Sequence, residues 1–243
     1  ISFTVLMTDL SLFDPNAVSN PNNNIFGLPF TKEDAKLIIL PVPWEVTTSY
    51  GRGAANGPRI IRQASEQIDL FDLETGKAYE KGYYMLPISE KLLHKNQIFK
   101  AKAQEVIRMK TQMMENFDEQ EKLVQEVNKA CEEMTNWVYL ESKTILSQGK
   151  MLGLVGGDHS TPFGAIKALS EKYQGQFGIL HIDAHADLRC AYQGFTQSHA
   201  SIMYNVMTDS HKPRKLVQVG IRDFCEEEFD FIQNHPKTIR TFF

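Results

Sequence analysis

Runs of apolar residues alternate along this chain with polar and glycine-containing stretches. Some of the runs are short and almost continuously apolar, which is the pattern of strands buried on both faces; they occupy residues 36–43, 151–155, 175–183 and 215–221. Strands of this kind form parallel sheets that helices cover. The pattern therefore predicts an α/β fold.

A helix is predicted soon after the first apolar run. The intervening loop contains Gly51, Gly53 and Gly57, and Pro58 follows where a proline fits the first turn of a helix. These glycines do not form a G-x-G-x-x-G pattern directly at a strand end, so a dinucleotide site of the Rossmann type is disfavoured.

The segment at residues 88–149 has a helical pattern. No proline or glycine occurs between Pro87 and Gly149, and apolar residues recur at steps of three or four, as at Val106, Met109 and Met113. The pattern predicts one or two long amphipathic helices. Because the polar faces are rich in Glu, Lys and Gln, a helical hairpin packed on the sheet is favoured over a cofactor site.

Composition changes this picture little. The chain has 243 residues, 42% of them hydrophobic and 23% charged, with a net charge of −4. We expect a single domain over residues 1–243 with an N-terminal arm at residues 1–35. Lys and Arg are dispersed and no apolar run reaches the roughly 20 residues of a membrane span, so neither nucleic acid nor a membrane is an expected partner and a cytoplasmic protein is expected. The three cysteines match no C-x-x-C pattern, which argues against a disulfide framework or a zinc knuckle.

Candidate chemistry lies in two short strings, GGDHS at residues 156–160 and HIDAHADLR at residues 181–189. Asp183, His185 and Asp187 occupy alternate positions, so a strand-like end would turn all of them to one side. His159 follows an apolar run, at the sheet edge where open α/β folds bind ligands. Carboxylates and imidazoles without a thiolate predict a metal site that suits Mn²⁺ better than zinc.

These strings resemble the GGDH(S/N) and DAHxD motifs of the ureohydrolase family, which contains arginases, agmatinases and formiminoglutamases. The resemblance covers about residues 37–222 and implies a three-layer αβα fold with a mainly parallel sheet, as in arginases and deacetylases. It implies two Mn²⁺ ions, one bound by His159 and Asp187, the other by His185, with Asp183 touching both. It also implies a small amidino or guanidino substrate and a homo-oligomer.

A third family motif, S-F-D-x-D, supplies two further aspartate ligands and does not occur in the sequence. The sequence stops at Phe243 in the apolar string TIRTFF, about where another strand is expected. We expect the chain to be a fragment that lacks the C-terminal part of the fold, since an uncovered apolar strand would otherwise remain at the edge. The alternative is an incomplete metal site.

The resemblance also suggests roles beside the metal. Asp183 would orient the hydroxide that attacks the substrate. His199 aligns with the histidine of the family's S-H-G or L-H-G motif, although Ala200 replaces the glycine, and its ordinary pKa near 6.5 suits proton transfer. A buried structural histidine is the alternative for His199. His181 lies deeper in its strand, so hydrogen bonding behind the ligands or core packing is expected.

Arg189 is the residue that indicates the class of substrate. It ends the Asp-Leu-Arg string typical of formiminoglutamases, and a guanidinium can hold the carboxylates of formiminoglutamate in bidentate fashion while repelling the amine of agmatine. A salt bridge to an acid at the pocket rim is the other interpretation of Arg189.

The favoured function is a dimanganese hydrolase of C–N bonds in linear amidines, with N-formimino-L-glutamate cleaved to L-glutamate and formamide. Agmatinase or another guanidino-acid ureohydrolase is the closest alternative. A non-catalytic homologue with an incomplete metal site is a further alternative. A zinc deacetylase of the related fold fits less well, because the paired motifs belong to the two-metal branch.

Overall fold

The structure is a computed structural model that describes residue 8, residues 10–20 and residues 22–243, so part of the expected N-terminal arm lies outside the described residues. Within these ranges the strands are β1 (Leu37–Val42), β2 (Tyr83–Met85), β3 (Met151–Gly156), β4 (Gly178–Ile182), β5 (Lys215–Val219) and β6 (Ile239–Phe242). The α-helices are α1 (Gly57–Ala64), α2 (Glu90–Thr111), α3 (Phe117–Ser147), α4 (Phe163–Tyr173), α5 (Ile202–Thr208) and α6 (Glu226–Asn234).

The first sheet has the strand order β2-β1-β3, with all strands parallel. Alternate side chains of β1 enter different parts of the core. Ile38 and Leu40 pack in the cluster that holds the apolar sides of α2 and α3, whereas Ile39 packs with Ile25 and Met85 on the opposite face. Each such buried aliphatic side chain contributes about 1.5–3 kcal/mol. This sheet is covered on both faces, as a three-layer α/β fold requires.

The second sheet has the order β4-β5-β6, again parallel. Ile179 and its register partner Leu216 lie on the face that α4, α5 and α6 cover. The opposite face presents Leu180 and Ile182 to solvent, with 65% and 76% of their areas exposed. Val219, the register partner of Ile182, is exposed on the same face. In the part of the chain that the structure describes, the second sheet is thus covered on one side.

The predicted parallel strands are confirmed, because β1, β3, β4 and β5 overlap the four apolar runs and β6 lies in the final apolar string. They pair, however, as two three-stranded sheets rather than one. Among the described residues, no ladder of hydrogen bonds joins β3 to β4. The chain passes from one sheet to the other through α4, which packs mainly against α3.

The long helical segment is a pair of helices. Ser89 caps the N-terminus of α2, where its hydroxyl accepts a hydrogen bond from the Leu92 N–H at 3.2 Å. The chain turns between the helices at Met113, whose backbone is left-handed with a φ of 52°. Both helices bury apolar residues in the core of the first sheet, which confirms the predicted helical hairpin. No helix in the described ranges is long and apolar enough to span a bilayer.

Candidate metal centre

His159 is held by the loop that follows β3. A Cβ atom at Gly157 would lie 1.7 Å from the carbonyl oxygen of Trp44, so only glycine permits this approach. The Asp158 N–H donates to the same oxygen at 2.8 Å. Because Trp44 is fully buried, these contacts fix the loop against the core and present His159 at the C-terminal edge of the first sheet.

Asp158 is buried beneath this loop. Its Oδ1 accepts hydrogen bonds from the backbone N–H of Ser160 at 2.9 Å and from the Ser160 hydroxyl at 2.5 Å. Its Oδ2 is buried without a hydrogen-bond partner among the described residues. Burial raises the pKa of the Asp158 carboxyl, and the Ser160 hydrogen bonds oppose this shift only in part. Asp158 therefore supports the loop from inside the protein.

The second string follows β4, at the C-terminal edge of the second sheet. Asp183 and Asp187 face His159, whose Nδ1 lies 3.4 Å from Asp183 Oδ2 and 2.5 Å from Asp187 Oδ2. His185 is 60% exposed and stands beside them, 3.6 Å from Asp183 and 3.5 Å from Asp223. The structure thus brings together the motif residues, with His185 on the outer side.

Asp187 owes its direction to a sharp turn. Its backbone is left-handed, with a φ of 54°, a conformation that aspartate tolerates better than most residues. Its carbonyl oxygen accepts the N–H groups of Met203 at 2.9 Å and Tyr204 at 3.2 Å. The first turn of α5 therefore anchors this ligand candidate.

His181 completes a cluster in which His159, His181, Asp183 and Asp187 each offer a ligand atom, all within 4.8 Å of one another. The buried amide of Gln218 donates to Ala186 O at 2.8 Å and lies 3.0 Å from His181 Nδ1. That nitrogen must accept, so the proton of the neutral ring is on Nε2, 3.3 Å from Asp183 Oδ2. This geometry favours the expected role of His181 behind the ligands. The sequence signal for this role is the spacing of His181 and Asp183, which are two residues apart in a strand and therefore point to the same side.

The titratable groups of the cluster have pKa values shifted in different directions. Burial works to lower the pKa of His159, but its hydrogen bond to Asp187 and the charges of Asp187 and Asp183 raise it overall. Burial, with His159 nearby, lowers the pKa of His181. Burial works to raise the pKa of Asp183, but the His185 N–H and the two neighbouring imidazoles lower it overall. The carboxylate of Asp183 is therefore ionised at neutral pH.

These groups form one wall of an open pocket of 350 Å³. The pocket is lined by Thr48, Ser49, Ala54, Asp158, His159, Asp183, His185, Asp187, Arg189, Tyr192, His199, Ala200, Asp223, Phe224 and Glu228. Carboxylates outnumber arginines in this lining, and no cysteine is part of it. Asp223 and Glu228 are pocket residues that the sequence motifs do not reveal, because they follow β5 and lie far along the chain.

His199 stands at the pocket wall. Its backbone N–H donates to the Thr47 hydroxyl at 3.3 Å, and its Nδ1 lies 3.5 Å from the same oxygen. The ring meets Tyr192 edge to face, with 5.8 Å between centroids. The imidazole thus faces the pocket from a fixed position.

Arg189 also lines the pocket, but it already has partners. Its Nε lies 3.6 Å from Glu228 Oε2, and its guanidinium stacks over the Tyr192 ring at 5.2 Å. Glu228 is buried and accepts the N–H groups of Leu188 at 2.9 Å and Cys225 at 2.8 Å. The charge of Arg189 is therefore partly neutralised at the pocket rim.

The donor set fits a hard divalent cation. One imidazole and two carboxylates converge at a single point, which is unfavourable for the carboxylates unless a cation or a proton lies between them. Oxygen and imidazole donors without thiolate suit Mn²⁺.

Comparison with known proteins agrees with this geometry. A model of the Arginase family matches residues 35–242. The chain belongs to the arginase family. An N(1)-aminopropylagmatine ureohydrolase of Thermus thermophilus is 35% identical over 190 residues, which are 78% of this chain and 52% of that protein.

Solved structures of the arginase family share the fold. The arginase of Medicago truncatula superposes with a TM-score of 0.60 at 24% identity, over 86% of this chain and 56% of its own. The formiminoglutamase of Trypanosoma cruzi, solved with Mn²⁺, gives a TM-score of 0.59 at 16% identity, over 87% of this chain and 61% of its own. The chain spans about half the length of the curated ureohydrolases it matches.

Proposed function

We propose that this protein hydrolyses a C–N bond in the amidino or guanidino group of a small substrate at a two-manganese centre. The observation that carries the proposal is the convergence of His159, Asp183 and Asp187 at the C-terminal ends of strands, in an open pocket of an arginase-family chain. The formiminoglutamase neighbour that was solved with Mn²⁺ supports the choice of metal.

Each ligand candidate keeps the role that its motif implies. His159 and Asp187 would bind one ion, His185 the other, and Asp183 would bind both. Paired manganese ions, when bound, supply a hydroxide at neutral pH by lowering the pKa of water. His181 lies behind Asp183, with its Nε2 3.3 Å from Asp183 Oδ2, and would help to keep that carboxylate turned toward the metals.

His199 is the proposed proton carrier. Its imidazole faces the pocket, and Thr47 fixes its loop. A neutral imidazole can accept a proton during attack and return it to the leaving nitrogen, so that the C–N bond breaks with an amine rather than an amide anion departing. Substituting His199 should therefore lower kcat much more than it changes metal binding.

We infer that the substrate is a guanidino-amine of the agmatine class. The pairing of Arg189 with Glu228 offsets part of the positive charge that would repel an amine. Asp223 at the pocket mouth offers a carboxylate to that amine. The aminopropylagmatine ureohydrolases of Thermus are the relatives that support this class.

Formiminoglutamate is the second candidate. Arg189 supports it, because its guanidinium lines the pocket and a substrate carboxylate could displace Glu228 as its partner. An assay of urea release from agmatine and aminopropylagmatine, beside formamide release from formiminoglutamate, separates the two.

The Arg189→Asn variant distinguishes the two candidate substrates. Arg214→Asn is the control, since Arg214 is exposed and does not line the pocket. If the substrate is a guanidino-amine, Arg189→Asn changes kcat/KM by less than about threefold. If it is formiminoglutamate, kcat/KM falls about thirtyfold or more, because a charge-paired contact of about 2 kcal/mol is lost. Protein that binds two manganese ions but turns over none of these compounds would contradict the proposed activity.

A further inference from the structure

Helices α2 and α3 are each linked to one of two loops that contribute to the pocket wall. The entrance loop (residues 46–53) follows β1 and supplies Thr48 and Ser49 to the pocket; the His199 loop (residues 190–198) supplies Tyr192 and leads into His199. Neither helix lines the pocket itself. The two loops are therefore a direct route by which the helical pair can influence the pocket.

Glu45 connects α2 to the entrance loop. Its carboxylate forms an ion pair with Lys100, and the two side chains are only 8% and 12% exposed. The same carboxylate accepts the N–H groups of Gly53 at 2.8 Å and Ala55 at 3.3 Å, which ties the far end of the loop to its beginning. The Glu45 N–H donates to Asn96 Oδ1 of α2 at 2.7 Å.

A carboxylate in this position depends on its partners. Burial works to raise the pKa of Glu45, but Lys100 and the loop N–H groups lower it, so the group is ionised. Without the ammonium of Lys100, the carboxylate would be buried and unpaired, and turning it to solvent would release Gly53 and Ala55. The backbone contacts that hold the two ends of the entrance loop together therefore depend on the cation that α2 supplies.

Asn128 of α3 makes the corresponding contact with the His199 loop. Its Nδ2 donates to Gly194 O at 3.0 Å, and its Oδ1 accepts the Thr196 N–H at 3.1 Å. Both ends of one amide are used, so the loop backbone is fixed in position and direction.

The two loops also contact each other. The Thr47 hydroxyl is fully buried and accepts the His199 N–H at 3.3 Å. Displacing either loop therefore moves the imidazole of His199 relative to the metal ligand candidates.

We propose that Glu45 and Asn128 are positioning residues through which the helical pair α2–α3 holds the entrance loop and the His199 loop in the geometry that the substrate requires. The proposal deepens the proposed function and rests on it for its kinetic consequence, but the contacts themselves can be tested without turnover.

The experiment compares Lys100→Met and Asn128→Ala with matched controls. Lys102→Met breaks the ion pair between Lys102 of α2 and Glu126 of α3, which involves neither loop. Asn136→Ala removes an exposed amide from α3 that does not contact the His199 loop in the described hydrogen bonds. Lys100→Arg keeps the cation and serves as the conservative variant. Backbone hydrogen exchange is measured by mass spectrometry on the intact protein.

We expect exchange to accelerate by about two- to tenfold per hydrogen bond released, over residues 46–55 in Lys100→Met and over residues 190–199 in Asn128→Ala. Both controls should exchange like the unchanged protein, and Lys100→Arg should restore slow exchange. In steady-state assays, KM should rise and kcat should fall in the two loop variants, while manganese stoichiometry is unchanged.

Unchanged exchange in both loops, or equal acceleration in the controls, would overturn the proposal. Protein that shows the expected exchange pattern but hydrolyses no amidino compound would instead contradict the proposed function and leave the positioning contacts supported. The two failures are therefore distinguishable.

Discussion

Gln218 shows how a single residue can define the chemistry of a neighbour. Its amide is oriented by Ala186 O and the Thr241 hydroxyl, so it presents an N–H to His181 and fixes the tautomer of that ring. We expect Gln218→Leu to release the ring, disturb the packing of His181 against Asp183, and raise the Kd for manganese by about tenfold or more. Calorimetric titration with Mn²⁺ measures this. An unchanged Kd would mean that His181 does not support the ligand.

His159 makes metal binding depend on pH. Its pKa in the metal-free protein is raised by Asp187 and Asp183, so protonated His159 persists to higher pH than an ordinary histidine. A metal ligand must be the neutral imidazole, and binding therefore releases a proton. We expect manganese affinity to fall as the pH is lowered through this raised pKa and to level off above it.

The same shift has the opposite effect on the metal-free fold. Because the folded-state pKa of His159 is raised, the stability that it contributes is present below the ordinary pKa and is lost as the pH rises through the folded value. Urea unfolding of metal-free protein across this range checks the sign, with His159→Gln as control. A pH dependence that survives in that variant would assign it to other groups.

At the residue scale, the sequence could predict that His159, Asp183 and Asp187 lie close together, because their motifs place them at strand ends. It could not find Glu45 or Asn128, whose partners Lys100 and Gly194 are 55 and 66 residues away along the chain. It expected His181 behind the ligands, but the tautomer depends on Gln218 in a neighbouring strand. These roles depend on side-chain orientation, which periodicity does not encode.

At the scale of elements, the turn after β3 depends on a close approach of two backbones. Gly157→Ala places a methyl group where the Trp44 carbonyl stands, so the loop must move and take His159 with it. We expect a loss of about 1–3 kcal/mol in the free energy of unfolding and weaker manganese binding. Gly178→Ala is the control, because its Cβ meets ordinary contacts of 3.5 Å or more. Equal effects in both variants would contradict this account.

The long helices and strands were predictable because their patterns are local. Apolar residues at helical spacing indicated α2 and α3, and continuous apolar runs indicated β1 and β3. The sequence analysis does not predict the three-residue strand β2, whose short apolar string is interrupted by Pro87. The division into two sheets was also not predictable, since strand pairing joins distant segments and an apolar run does not specify its neighbour.

At the scale of the whole molecule, the open face of the second sheet should govern behaviour in solution. Leu180 and Ile182 form an apolar surface of a kind that promotes association. We expect Leu180→Thr with Ile182→Thr to reduce self-association of this chain, with the free energy of unfolding changed by about 0.5 kcal/mol or less per site. Sedimentation velocity over a range of concentrations measures it.

Ile179→Thr is the matched control for that surface, because Ile179 belongs to the covered face of the same strand. It should destabilise the fold, by about 1–3 kcal/mol, without reducing association. Association that is equally strong with and without the two threonines would show that this face is not the contact.

The position of the proposed metal centre has a mechanical consequence. His159 follows the last strand of one sheet, whereas Asp183 and Asp187 follow the first strand of the other, and no hydrogen-bonded ladder among the described residues joins those strands. An ion bound there would link the two sheets. Occupancy would then strengthen the coupling between the two sheets, which otherwise depends on side-chain and helix packing, and chelation would weaken it.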